Sequence, residues 1–566
     1  MSKIFILGMS PLPFENDRKV YGTGIRTWQF VLPLLKGGHS ICLCSYAIPS
    51  AYPDNFSSKF YKNFVYKLSL DSSLDNAAGE SKDSEIKDMI KVNKGKREIN
   101  EKENEDIIKD RKIDTCNFSI SEFCEDNSKR NKEKLNKNAS KFFELNFEYN
   151  ILKKDDFENL ELLSNIFQEF KPDCVVGCTF YPSYIASRLL SYNSVPFWAD
   201  LFGHVMAEAQ ARASVDGDDS CLFHYWNGEY NIITSADKFS CVSSRQEYAL
   251  IGELGMVGRL NRYTQGYEFT CTIPCGLPSE EFEHTKNVIR GKDGIGEDDF
   301  VILWTGGYNT WVDIDTLFEG LVAAMKENPK IKFVSTGGEI PEQDTKTYPR
   351  FLKMVENSPY RNRFFMKGWV RGEDVPNYYF EADVGINIDK DIYEVRLGSK
   401  NRILDWMRAG LCVLSSNVCE LTEIIERERI GYTFKAGDPD DLAKKLIYLA
   451  SHPDEVKKTG LAGKKFGFRK FNFDKTTEVL QQWVNSPAFA PDYRKPKKIF
   501  FDREEALRNL NDIVTRQKKM IEERDSRISE LEGIVKGSFI YKLYSYIKVI
   551  LRKIRKKSKK KSKGVQ

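Results

Sequence analysis

"DFVILWTGGYNTWVDIDTLFEGLVAAMKEN", Asp299–Asn328, carries the unit from which the fold is read. Its apolar run reads as a strand buried on both faces, because it lacks the polar alternation of a half-exposed one. The run ends in Gly306 and Gly307, and the residues from Val312 onward read as a helix. A buried strand passing through glycines into a helix is the repeating element of a helix-covered parallel sheet.

The same unit recurs on either side. Downstream, "IKFVSTGG" (Ile331–Gly338), "RFFMKGW" (Arg363–Trp369), "ADVGINI" (Ala382–Ile388) and "GLCVLSS" (Gly410–Ser416) are strands separated by helical periodicity. Upstream, "KIFILG" (Lys3–Gly8) is a strand and "YGTGIR" (Tyr21–Arg26) belongs to a loop. "TWQFVLPLLKGG" (Thr27–Gly38) is a helix and "HSICLCSY" (His39–Tyr46) a second strand. Further strand–helix units lie within Asp155–Phe180, Val195–Gly203, Lys238–Gly255 and Phe269–Pro278. The expected architecture is α/β, with two facing Rossmann-like domains over residues 1–290 and 291–490. Residues 71–140 interrupt the first with a Lys-, Glu-, Asn- and Asp-rich insertion. That composition buries too little apolar area to offset ordering, so disorder is expected there.

Composition narrows the class. The chain has 566 residues, too many for one core. No run of 18 apolar residues occurs, so no membrane-crossing helix is expected. The N-terminus reads as a first strand, because acids follow its short apolar run and no small-residue cleavage site appears. The 12 cysteines make no doubled C-x-x-C pattern, which points to a reducing cytoplasm and no structural metal. The net charge of +4 conceals an asymmetry. "RKIRKKSKKKSK" (Arg552–Lys563) carries nine basic residues and no acid, and without it the body is mildly acidic. Two helical segments precede and include that tail. Over 500–536, Leu510, Val514, Gln517, Ile521, Arg524, Ile528, Leu531 and Val535 follow the 4-3 spacing of a coiled coil, which implies a homo-oligomer. A lone helix packed on the body fits the same spacing. Over 537–566, Ile540, Leu543, Tyr544, Ile547, Ile550, Leu551 and Ile554 form one stripe opposite lysines and arginines. That is the pattern of a basic amphipathic helix on an anionic membrane. A solubilising or nucleic-acid-binding tail is the competing reading. The expected location is cytoplasmic, peripheral on the inner face of the membrane, with no nucleic-acid partner.

Three constellations could carry chemistry. Gly306 and Gly307 let a ligand approach the backbone at a strand end, beside a helix start that Asp313 caps. The D-x-D matches Asp313/Asp315 and Asp389/Asp391 are discounted as chance. The second is "YEVRLGSKNRILDWMRAGLCVL" (Tyr393–Leu414). Its Ser399, Lys400 and Arg402 stand at a helix start, where cations oppose the helix dipole by roughly 0.3–1 kcal/mol. A bound diphosphate removes that conflict, and Glu394 and Asp405 stand ready to accept sugar hydroxyls. The third is "FWADLFGH" (Phe197–His204), in which Asp200 and His204 follow a strand. Gly22, Gly24 and Arg26 would face them across the same cleft. "GTGIRT" lacks the third glycine of a dinucleotide fingerprint, so no NAD is expected.

Taken in order, "YGTGIRTWQFVLPLLKGGH", "ELGMVGRLN", "IPCGLP", "WTGGYNTWVDIDTL", "FMKGWV" and "EVRLGSKNRILDWMRAGLCVL" resemble the retaining glycosyltransferases of family 4, group 1, with the GT-B fold. The resemblance covers Lys3 to about Val484. It implies metal-independent hexose transfer from a nucleotide-diphosphate sugar to a glycan or lipid-linked hydroxyl, with retention and without a cofactor. It implies catalytic roles for Arg402, Lys400, Glu394 and His204. Donor or acceptor contacts are implied for Gly22, Gly24, Asp200, Gly306, Gly307, Trp369, Val370, Ser399 and Asp405. Two features depart from the family. Leu397 stands where its first glutamate is usual, leaving Glu394 as substitute, and the glycine loop lacks the usual Arg and Lys. A catalytically degenerate scaffold at the membrane and a nucleotide-sugar epimerase are the alternatives.

Overall fold

The computed structural model describes residues 1–15, 18–69, 142–191, 193–341, 343–495 and 498–561. The insertion expected over 71–140 lies outside the described residues. The chain divides into two units, Met1–Tyr493 and Arg494–Gln566.

The first unit holds two sheets. The N-terminal sheet comprises β1 (Lys3–Ser10), β2 (Ser40–Ala47), β3 (Lys59–Ser69), β4 (Phe142–Leu152), β5 (Cys174–Gly177), β6 (Phe197–Leu201), β7 (Lys238–Cys241) and β8 (Thr270–Thr272). Their order is β3-β4-β2-β1-β5-β6-β7-β8. Every neighbouring pair is parallel except β3 with β4, which is antiparallel and joins Lys59 to Ile151 in register. The second sheet comprises β9 (Phe300–Thr305), β10 (Ile331–Thr336), β11 (Phe364–Gly368), β12 (Val384–Asn387), β13 (Cys412–Ser416) and β14 (Tyr432–Phe434), ordered β11-β10-β9-β12-β13-β14 and wholly parallel. Both have the doubly wound form, with fully buried central strands, as the unalternating apolar runs dictate.

Two boundaries differ from the sequence reading. Residues Gly22–Arg26 are the first turns of the helix Gly22–Lys36 and not a loop. Gly24 lets the helix pack against the turn after β1, since a Cβ there would lie 2.0 Å from the carbonyl oxygen of Pro11. The chain also leaves the second lobe before residue 490. After the helix Pro453–Lys470, Leu277 N–H donates to Phe471 O (2.8 Å), and Phe473, Leu480 and Val484 join the N-terminal core around Ile4, Ile6 and Trp28. Arg259 then grips Asp492 through two hydrogen bonds of 3.0 and 2.9 Å, both side chains buried. The first lobe is thus closed by the last stretch of the unit.

The lobes meet at the C-terminal ends of their strands. Ser243 Oγ donates to Leu397 O (2.6 Å), Ser244 Oγ to Glu420 (2.7 Å), and Asn401 Nδ2 to Gly22 O (3.4 Å). This crevice is where open parallel sheets bind ligands.

The second unit contains a helix from Lys498 to Gly537 and another from Phe539 to Lys561. Leu510, Ile521, Ile528 and Leu531 of the first, and Ile540, Ile547 and Ile554 of the second, are exposed. Among the described residues no helix is long and apolar enough to cross a membrane, and every cysteine is free.

Candidate active site in the crevice of the second lobe

Three glycine turns converge at the strand ends. Gly306 follows β9 with φ +92°, and Gly337 follows β10 with φ +124°, both in the region that favours glycine. A Cβ on Gly337 would lie 2.0 Å from Gly306 O, so the two turns stack backbone to backbone. Gly337 N–H donates to Gly368 O (2.6 Å), which ties the end of β11 to the same cluster.

Arg402 lies against this cluster. The sequence breaks its local helix in two: Tyr393–Leu397 is one short turn, Gly398 ends it, and a new helix runs Asn401–Ala409 with Lys400 as N-cap. Arg402 therefore sits in the first turn. Its guanidinium stacks on the indole of Trp304 at 4.0 Å and donates one 3.5 Å bond to Gly307 O. Nη1 is buried with no hydrogen-bond partner. Among the described residues no carboxylate forms an ion pair with it, and burial pulls its pKa down against the more distant pull of Asp389.

Lys400 has a different setting. It is buried between Glu394 (3.5 Å) and Asp389 (3.8 Å), over the Trp311 ring at 4.9 Å. Burial works against its charge, but the two carboxylates outweigh this and its pKa is raised. Glu394 is pushed up by burial and by Asp389, and drawn down by Lys400. The cluster is a compensated acid–base triad. Asp405, one turn past Arg402, is pushed up to about 6 by burial, with Arg408 opposing. Ser399 is half-buried between the two helical turns.

Trp369 Nε1–H donates to Glu339 O (3.1 Å), and its ring carries the Lys19 ammonium of the first lobe at 3.4 Å. Burial lowers the Lys19 pKa to about 8, with Glu339 opposing. Val370 packs on the apolar cluster around Val301 and Leu303.

The N-terminal candidates divide. His204 caps the helix Val205–Asp216: Nδ1 accepts from Ala207 N–H (3.3 Å), and Nε2 meets Glu253 Oε1 at 3.0 Å. Both ring nitrogens are therefore engaged, while the ring lines a cavity of about 950 Å³ with Gln210, Leu222, Tyr393 and Leu397. With Glu229 and Glu253 it forms a trio whose ligand atoms lie within 4.8 Å of one another. Gly22 borders the crevice, where a Cβ would lie 2.8 Å from Asn401 Nδ2. Asp200 does not reach the crevice. It is fully buried and bound by Arg26 through bonds of 2.6 and 3.0 Å and by Ser240 Oγ (2.7 Å), so it is a core strut and not a sugar contact. Gly24, against Pro11, is likewise packing rather than cleft lining.

Sequence reasoning missed four participants. Trp304 and Trp311 are the aromatic platforms under the two cations, and neither carries a local signal distinguishing it from core. Lys19 lies over Trp369. Glu208, on the first turn of the helix after His204, is pushed up to about 7 by burial first and then by Glu394 across the crevice. A glutamate on a helix turn reads as a solvated one.

Residues 299–452 match the family described as Glycosyl transferases group 1. The match falls within the second lobe. The cluster of Arg402, Lys400, Glu394 and the Gly306–Gly307 turn lies wholly inside it. Across the whole two-lobed unit the fold is GT-B. Sucrose-phosphate synthase from Thermosynechococcus elongatus is similar over 86% of this chain and 98% of its own, at 14% identity and a TM-score of 0.54. HepE from Anabaena, in complex with UDP-glucose, is similar over 86% and 100%, at 11% identity and 0.51. OtsA is similar over 86% and 100%, at 9% identity and 0.52. At these identities the likeness is one of fold. No curated protein sequence matches the chain.

Proposed function

We propose that the protein transfers a hexose from a nucleotide-diphosphate sugar to a hydroxyl of a glycan or lipid-linked acceptor, with retention and without a metal. The observation that carries this reading is the buried, unpartnered Nη1 of Arg402 beside the glycine turns and a helix N-terminus. A buried cation without a counter-ion is costly, and an anion at that spot repairs it. The donor diphosphate supplies such an anion, held by Arg402, the Gly306–Gly307 backbone and the N–H groups at the start of the helix.

In that arrangement Trp369 and Val370 border the base, Asp405 accepts from the ribose, and Glu394 accepts from the sugar. Lys400 is compensated by two carboxylates, so it orders Glu394 and adds a positive field more than a free charge. The reaction breaks the bond from the anomeric carbon to the β-phosphate oxygen and forms one to the acceptor oxygen. The acceptor proton passes to the departing diphosphate. Charge grows on that diphosphate as the bond breaks, where a preorganised cation lowers the barrier most. The structure of HepE with UDP-glucose concerns that protein, but makes a uridine donor the first to try.

A thermal-shift screen against UDP-, GDP-, ADP- and TDP-sugars tests the reading. At least one should stabilise the wild type and fail to stabilise Arg402→Met. If none binds, or if the variant responds like the wild type, the assignment is wrong.

A further inference from the structure

We infer that the helix Phe539–Lys561 is an interfacial anchor that lies in the surface of an anionic lipid bilayer. The inference does not depend on sugar transfer. Ile540, Leu543, Tyr544, Ile547, Ile550, Leu551 and Ile554 recur every three or four residues and so share one face. All seven are exposed, between 40% and 79%, and within the second unit no other segment covers them. Such a stripe on a soluble surface calls for a partner.

Charge selects which. No acidic residue follows Glu532, and Lys542, Lys548, Arg552, Lys553 and Lys556 lie around the rest of the helix circumference, with Tyr541, Tyr546 and Val549 among them. A second copy of this helix would bring two such charge clusters together, so self-pairing is opposed by like-charge repulsion. A nucleic acid would satisfy the cations but leave the apolar stripe in water. An anionic bilayer satisfies both faces at once: acyl chains take the stripe and headgroups take the lysines and arginines. The helix is not apolar enough to cross the membrane, so it lies along the surface. Tyr541, Tyr544 and Tyr546 suit the interface between acyl chains and water, with an apolar ring and a polar tip.

The full-length chain should pellet with vesicles of phosphatidylcholine and phosphatidylglycerol, and not with phosphatidylcholine alone. Raising the salt should weaken binding several-fold as the charges are screened. The double variant Ile547→Gln/Leu551→Gln keeps every charge and should lose about tenfold or more in vesicle affinity, because two side chains no longer leave water. Unchanged thermal unfolding of the variant's two-lobed unit shows that the loss is local. Equal pelleting of variant and wild type would overturn the inference, as would no pelleting with the anionic vesicles. Tighter binding to an RNA oligonucleotide than to those vesicles would reassign the tail to nucleic acid. A change in the variant's sedimentation coefficient without lipid would reassign the stripe to contacts between copies. Nucleotide-sugar binding by the crevice is measured separately and is not touched by this double variant.

Discussion

Arg402 and Lys400 are two residues apart, equally basic in the sequence, and physically opposite. Lys400 is enclosed with Asp389 and Glu394, whereas Arg402 has an aromatic ring, one long bond and an empty Nη1. A sequence shows that cations stand at a helix start. It does not show which of them has carboxylates folded against it from distant positions. The difference makes a sharp expectation for Arg402→Met, which fills similar space without the charge. Turnover should fall about 10²–10³-fold, as when one preorganised charge stabiliser is lost. The unfolding midpoint should stay level or rise, because the buried charge is uncompensated until donor binds. A large drop in thermal stability would instead mark Arg402 as structural. Asp200 gives the converse case. Its carboxylate is the counter-ion of the buried Arg26, so Asp200→Ala should cost about 3–5 kcal/mol in urea unfolding. "FWADLFGH" looked like a site because an acid ending a strand often is one. The arginine that claims it lies far back in the sequence, in the helix after β1.

At the scale of elements, the strands of the second lobe were legible because they are buried on both faces and end in glycine. The antiparallel pair β3–β4 was not, although "FFELNFEYNIL" alternates. Its partner lies beyond residues 70–141, and a hairpin signal is local. The turn Tyr393–Leu397 was also hidden, since Gly398 reads equally as a helix start or a helix end. That turn matters because it carries Glu394 toward Glu208 on the helix Val205–Asp216. With the Glu208 pKa raised to about 7 and that of Asp405 to about 6, both groups keep their protons in the folded chain where the unfolded chain has lost them. Their contribution to stability is therefore present below the ordinary carboxylate pKa and lost as pH rises through 6 to 7. Urea midpoints measured at pH 5 and pH 8 should fall for the wild type over this interval. Glu208→Gln should fall less, since it has no proton to lose, and an identical fall would show that Glu208 is solvated in the crevice.

At the scale of the molecule, composition alone separated the body from its tail, and the division at Tyr493 follows that shift in character. What composition could not place was the return of Phe473, Leu480 and Val484 to the first lobe, because apolar spacing names a buried face without naming its partner. That return has a consequence for truncation. A chain stopped at residue 480 would strip Val484 and Asp492 from the N-terminal core and leave Arg259 buried without its counter-ion. A chain stopped at Tyr493 keeps every one of these contacts and should fold with an unchanged midpoint and unchanged donor affinity. The two truncations together locate the end of the folded unit. The longer one also tests the role of the helix Lys498–Gly537. Leu510, Val514, Ile521, Ile528, Leu531 and Val535 are exposed along its 40 residues, and a helix this long with a bare apolar seam gains most by pairing with a copy of itself. Gln517 and Arg524 in the same seam weaken that pairing and favour one register. Sedimentation velocity should therefore find the full-length chain as an oligomer and the chain ending at Tyr493 as a monomer. If both sediment as monomers, the seam is not a coiled coil, and the 4-3 spacing belongs to a lone helix.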